Sequence, residues 1–272
     1  RWMSRKSTGK FAVSGKRKGW LKKMTVYFII IIANLLVGGM IGLTGIAGFL
    51  LPMLYSGFLG MPAAQGLALS FFAFLISGVL GAYNYYKARN LDLKLALVIS
   101  AGSLIGAVLG VRLNLMIDEA IVKRILYLVV LASGISILLR KESDKKNAEA
   151  GKSLTPGLSV VFGAVTGALC ALSGAGGPIL VMPLLVVLGV PVKTAVGVAL
   201  LNSVFIAIPS CIGYSLQCDP QEMAVLLFVS MVSHGIGVWA GSRNAAVLKP
   251  EPLKKGVAVF SVLIALFKLV TG

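Results

Sequence analysis

Long uncharged runs alternate with short charged segments along this chain. No Asp, Glu, Lys or Arg occurs from Met24 to Tyr86, Leu95 to Val111, Ile125 to Leu139, Ser153 to Val192, Thr194 to Cys218 or Met223 to Ser242. A helix crosses the hydrocarbon core of a bilayer with about 20 apolar residues, so runs of this length predict membrane-spanning helices. Two single helices are expected in each half of the chain, near Leu93 to Leu115 and Ala120 to Leu139, then near Met223 to Arg243 and Leu253 to Val270. The two longest regions, Met24 to Tyr86 and Ser153 to Cys218 (broken only by Lys193), each have room for about three segments.

A repeat organises these runs. Pro52, Ala64, Gly66, Ala68, Leu69, Tyr83, Gly106, Gly110, Arg112 and Lys123 each meet the same residue type 131 positions later, at Pro183, Ala195, Gly197, Ala199, Leu200, Tyr214, Gly237, Gly241, Arg243 and Lys254. The chain therefore divides into a basic tail (1–23) without apolar periodicity, expected to be disordered, a first transmembrane repeat (24–140), a charged linker (141–155) and a second transmembrane repeat (156–272). An odd number of crossings per half makes the halves inverted. Loop charge agrees: Lys87, Arg89 and Lys94 occupy a loop whose repeat mate, Gln217 to Glu222, holds acidic residues and no Lys or Arg. Lys and Arg concentrate on the cytoplasmic side of membrane proteins, which places the Lys87 loop, the linker and the Arg243 to Lys255 loop inside. The fold class is thus an all-α, polytopic transmembrane bundle of two inverted-topology repeats.

Composition supports this class: 57% of the 272 residues are apolar, 13% are charged, and the mean hydropathy is +0.92. The net charge of +17 would suggest a nucleic-acid partner in a soluble protein. Here Lys and Arg sit in the tail and the loops, so the partner is the lipid bilayer and no nucleic acid is expected. The nine basic residues of Arg1 to Lys23 conflict with the inverted arrangement, which puts them outside. Translation beginning at Met24, or a non-spanning hairpin as the first segment, removes the conflict. All nine Asp and Glu residues lie between or at the edges of the runs, and Cys170, Cys211, Cys218 and the one His have no metal-ligand spacing. No metal, cofactor, disulfide framework or enzymatic activity is expected.

Glycine and proline interrupt the apolar runs at matched places. One break runs from Gly38 to Gly48 with Pro52 following, and the other from Ser173 to Pro178 with Pro183 following. Matched helix breaks in two halves point to a transporter's substrate site. The main-chain N–H groups that begin each following half-helix can hold an anion without Lys or Arg, and glycine lets a ligand approach the backbone. The candidate substrate-binding residues are Thr44, Gly45, Gly48, Ser70, Ser173, Gly174, Gly176, Gly177, Asn202 and Ser203. Single glycines such as Gly38, Gly106 and Gly110 read as helix packing. His234 is the ionisable group inside a span, a candidate proton relay whose structural alternative is a hydrogen-bonded histidine. Arg112 and Arg243 read as interfacial arginines, Tyr83 and Tyr214 as aromatic-belt residues, and Lys193 as either a helix-start anchor or an anion-attracting charge.

The glycine cluster followed by Pro191-Val192-Lys193-Thr194-Ala195-Val196-Gly197-Val198-Ala199-Leu200, with its weaker copy in the first half, resembles the sulfite exporter TauE/SafE family of permeases. The resemblance runs from Met24 to the end of the chain. It implies a bacterial-type inner-membrane, multi-pass permease of two related halves moving sulfite, organosulfonates or similar small anions. One departure stands in the first cluster, where Ile46 and Ala47 interrupt the family's run of glycines. Alternating access around a midplane anion site is the expected mechanism, with a gated anion channel as the alternative.

Overall fold

The computed structural model describes the backbone of residues 8–44, 47–139, 155–244 and 250–271, and every regular element among them is helical. The first half holds α1 (Thr8–Thr44), α2 (Leu50–Pro52) continuing as a π-helical segment (Met53–Phe58), α3 (Ala63–Lys87), α4 (Leu93–Met116) and α5 (Glu119–Leu139). The second half holds α6 (Pro156–Ser173), α7 (Gly177–Val187), α8 (Val192–Ser215), α9 (Pro220–Asn244) and α10 (Pro250–Thr271). Gly45 and linker residues 141–154 lie outside the described residues. The first helix extends back to Thr8 through the basic segment expected to be irregular, and its apolar part is one continuous helix rather than a hairpin.

Six of the described helices are long and apolar enough to cross a membrane: Met24–Leu43, Ala63–Lys87, Leu93–Met116, Pro156–Ser173, Lys193–Ser215 and Met223–Arg243. Three belong to each half, at corresponding places. Their outward faces carry large apolar side chains such as Phe28, Leu36, Ile105, Leu109, Ile212, Phe228 and Trp239, all more than half exposed, as a lipid-facing surface requires. The chain is a multi-pass membrane protein. Carboxylates stand at the span edges as caps: Asp92 accepts from the Leu95 N–H at 3.0 Å, Asp118 from Ala120 at 2.8 Å and Asp219 from Gln221 at 2.8 Å. Each satisfies a first-turn donor that the helix leaves open.

The packing is exchanged by swapping the halves. α1 lies along α9 and α4 along α6, while α3 packs on α8 and α5 on α10. Registers fix the directions. Gly102, Gly106 and Gly110 of α4 meet Val160, Ala164 and Ala168 of α6, so these helices run parallel. Gly237 and Gly241 of α9 meet the Leu35 and Gly39 carbonyls of α1, again parallel. Gly78 and Gly81 of α3 meet Val204 and Leu200 of α8, and Gly197 meets Tyr85, so this central pair runs antiparallel. Short connections reverse the chain between α3 and α4 and between α8 and α9. It follows that α1, α3 and α9 point one way and α4, α6 and α8 the other.

Small residues let these backbones touch. Between two membrane helices no hydrophobic force operates beyond that of lipid, so close van der Waals contact is what holds them. A Cβ at Gly106 would collide with the Ala164 carbonyl, and one at Gly38 would come within 2.5 Å of the His234 carbonyl oxygen. Gly38, Gly106 and Gly110 are therefore packing positions, as expected. Gly256 of α10 has open space where its Cβ would stand. Gly106→Val should lower stability by about 2–3 kcal/mol through overpacking, whereas Gly256→Ala should raise it by roughly 0.5–1 kcal/mol through helix propensity. Thermal unfolding of both variants in detergent checks the contrast.

Candidate substrate site

A helix that stops inside a membrane leaves four carbonyls with no water to take them. The end of α6 shows how this chain supplies the donors. The Gly174 N–H donates to the Cys170 carbonyl at 2.9 Å, with Gly174 in the left-handed region (φ 74°) that a C-terminal cap requires. Ser173 Oγ donates to the Leu169 carbonyl at 2.7 Å. From α8, the Tyr214 hydroxyl donates to the Ala171 carbonyl at 2.8 Å, and from α4, Asn114 Nδ2 donates to the Leu172 carbonyl at 2.6 Å. Tyr214 is fully buried and stacks on Phe71 with ring centroids 5.9 Å apart. It is therefore not the aromatic-belt residue the sequence suggested. Its mate Tyr83 is exposed, with Lys87 over its ring at 4.8 Å.

After Gly174 the chain turns through Ala175 and Gly176 (φ 27°) into α7, with Pro178 in the first turn. Pro178 has no N–H, so the amino end of α7 presents the main-chain donors of Gly176 and Gly177, where the helix dipole is positive. The matching turn in the first half carries Ala47 at φ 118°, a conformation normally left to glycine. The departure from a run of glycines thus puts a methyl group on a backbone conformation that side chains rarely adopt. Leu50 and Leu51 donate back to the Ala47 and Gly48 carbonyls at 3.0 and 3.1 Å, starting α2.

Both turns line one small cavity. Its wall is formed by Ala47, Gly48 and Phe49 from the first break, Gly176, Pro178 and Ile179 from the second, Ile41 of α1, Phe74 and Ser77 of α3, and Leu200 and Ser203 of α8. Phe74 sits between the breaks: a Cβ at Gly48 would meet its ring at 2.7 Å, and one at Gly176 at 3.3 Å. Ser77 Oγ donates to the Ala73 carbonyl at 3.1 Å and Ser203 Oγ to Ala199 at 2.8 Å. With those protons committed to main-chain carbonyls, neither hydroxyl has its proton free for a ligand.

Of the expected site residues, Gly48, Gly176 and Ser203 reach the cavity. Gly177 packs against α8, 2.6 Å separating its would-be Cβ from Ser203 Oγ. Ser173 and Gly174 form the cap beneath the site, and Ser70 donates to the Gly66 carbonyl at 2.7 Å. Asn202 is fully buried, and neither its amide nitrogen nor its amide oxygen has a partner. The Thr44 side chain and Gly45 lie outside the described residues. Phe74, Ser77, Asn114 and Tyr214 were not singled out for the site. Asn114, an amide inside an apolar helix, is the one whose residue type carried a signal.

The family model for "Sulfite exporter TauE/SafE" matches residues 26–267. The chain is 25% identical over 246 residues to a "Probable membrane transporter protein" of Bacillus subtilis, covering 89% of this chain and 99% of that one. A protein of the same description from Methanocaldococcus jannaschii is 29% identical over 178 residues, covering 63% and 66% of the two chains. Another from Haemophilus influenzae is 24% identical over 265 residues, covering 89% and 97%. No solved structure matches the chain.

Tyr214→Phe keeps the ring stacking and removes the donor to Ala171. It should cost about 1–3 kcal/mol, the expected range for orphaning a buried acceptor, read as a lowered midpoint in thermal unfolding.

Proposed function

The chain belongs to the sulfite exporter TauE/SafE family, and from that premise we propose that this membrane transporter moves a small anion, sulfite or a related sulfur-containing anion, by alternating access. The observation that carries the reading is the meeting of two helix breaks, one from each half, at a single cavity that includes Gly176 and Pro178 at the start of α7. The partial positive charge of the helix end and its open main-chain N–H groups are what would hold an anion there. No counter-cation is needed, consistent with the uncharged sequence on both sides of each break.

The opposed directions of mated helices support the inverted reading. α3 and α8 are repeat mates and run antiparallel, and α1 and α6, like α4 and α9, also point opposite ways. A two-fold axis lying in the membrane plane relates elements in this way. Two halves so related can exchange an inward-open for an outward-open arrangement by rocking about a site on that axis. The apolar remainder of the wall, Ile41, Phe49, Phe74, Ile179 and Leu200, excludes water and strengthens the polar contacts made at the breaks.

Sulfite uptake into proteoliposomes tests this function. Wild-type uptake should saturate with concentration. Gly176→Val, which places a side chain beside Phe74, and Ser77→Leu, which fills the cavity without backbone strain, should each reduce it by roughly tenfold or more. Undiminished uptake in both variants would place the site elsewhere, and unitary current steps in place of saturable flux would favour the channel.

A further inference from the structure

The two long parallel crossings, α4 with α6 and α1 with α9, are mates, yet their centres differ in chemistry. Contacts superimpose when α4 is shifted by 131 residues and α6 by 129: Gly106 against Ala164 becomes Gly237 against Leu35, and Gly110 against Ala168 becomes Gly241 against Gly39. Under the same shifts Ser103 corresponds to His234 and Gly163 to Asn34. In the α4–α6 crossing Ser103 Oγ donates to the Gly163 carbonyl at 2.9 Å, and the crossing is closed. In the α1–α9 crossing a histidine and an asparagine take those two places.

That pair is incompletely satisfied. His234 and Asn34 are both fully buried. Neither ring nitrogen of His234 has a partner with hydrogen-bond geometry, although the Asn34 main chain lies beside the ring. Asn34 Nδ2 donates to the Ile30 carbonyl at 2.9 Å and to the Tyr55 hydroxyl at 2.6 Å, while its Oδ1 has no partner. A neutral imidazole always offers one donor and one acceptor, and buried polar groups left open in this way mark a functional site or a bound water. Tyr55 lies in the π-helical segment that continues α2, the element whose first residues follow the cavity-lining Phe49. A polar link therefore runs from Asn34 of α1, beside the His234 ring, to the first break.

We infer that His234 is the proton-coupling site of this transporter, taking up a proton when the anion occupies the cavity and releasing it to the opposite side when the anion leaves. The inference rests on the anion-transport reading. Its physical basis is charge balance. The groups facing His234 are the neutral Asn34 from α1 and, through it, Tyr55; α3 contributes Ile76 near Gly235. No charged residue occurs in 24–86 or 223–242, so the protein offers an imidazolium no carboxylate. The transported anion is the available counter-charge. Ile41 lines the cavity seven residues beyond Asn34, roughly 10 Å along the helix axis, a distance at which two charges still interact strongly in an apolar interior. Proton and anion then each favour the other's binding, as linkage requires. The step is a reversible protonation of one imidazole nitrogen with no other bond made or broken.

The repeat itself supplies the test variant. His234→Ser copies the residue that closes the mated crossing, and His234→Gln retains hydrogen bonding without titrating. Sulfite is the probe, and since it is itself the anion of a weak acid, wild type and variants are compared under identical gradients. An imposed pH gradient should accelerate wild-type sulfite uptake about fivefold or more beyond its effect on either variant, while both variants still bind sulfite by thermal shift. Variants that keep the full acceleration overturn the assignment. So does wild-type sulfite flux that ignores the gradient, a result that needs no variant. Failure of the wild type to bind sulfite at all would instead count against the anion-transport reading.

Discussion

A helix can end in the middle of a membrane only if its last carbonyls find donors other than water, and the rest of this architecture follows from how that is arranged. At the end of α6 the donors to the open carbonyls are Gly174, Asn114 and Tyr214, drawn from the turn itself and from two neighbouring helices. Because Asn114 and Tyr214 arrive from α4 and α8, the break exists only in the assembled bundle. The cap beneath α6 therefore also sets where α7 begins.

Close backbone contact supplies the second half of the account. Glycine positions on α4 and α9 bring two pairs of parallel helices together at distances no larger residue permits. These pairs flank the antiparallel contact of α3 and α8, which carry Phe74, Ser77, Leu200 and Ser203 into the cavity. The walls are uncharged, so an anion bound between them would depend on oriented dipoles rather than on ion pairs. Such a site discriminates by size and by the geometry of acceptor oxygens, since a helix end offers only a few fixed N–H directions.

Much of this was legible in the sequence because backbone demands restrict residue choice. The glycine positions Gly106 with Gly237 and Gly110 with Gly241 recur at one spacing because each is fixed by a helix crossing. The correspondence of α1 with α6 was hidden: it has a spacing of 129 instead of 131, and much of each helix is turned outward, where many apolar residues serve equally. Tyr214 was misplaced because an aromatic residue at the end of a span looks the same whether it faces lipid or a neighbouring helix. Phe74 and Ile41 line the cavity with side chains indistinguishable from core residues, so no residue type betrayed them. The Ser70 hydroxyl, in turn, is taken up by the Gly66 carbonyl one turn earlier, as serines in membrane helices commonly are.

The most direct test of the central claim is to locate a heavy anion in the protein. Selenite has the shape and charge of sulfite, and a crystal structure of the protein soaked with it would show the selenium by anomalous scattering. The account predicts a peak in the cavity between Gly48 and Gly176, with its oxygens within hydrogen-bond distance of the Gly176 or Gly177 N–H. A selenite peak elsewhere in the protein, with the space beside Phe74 left without one, would contradict it.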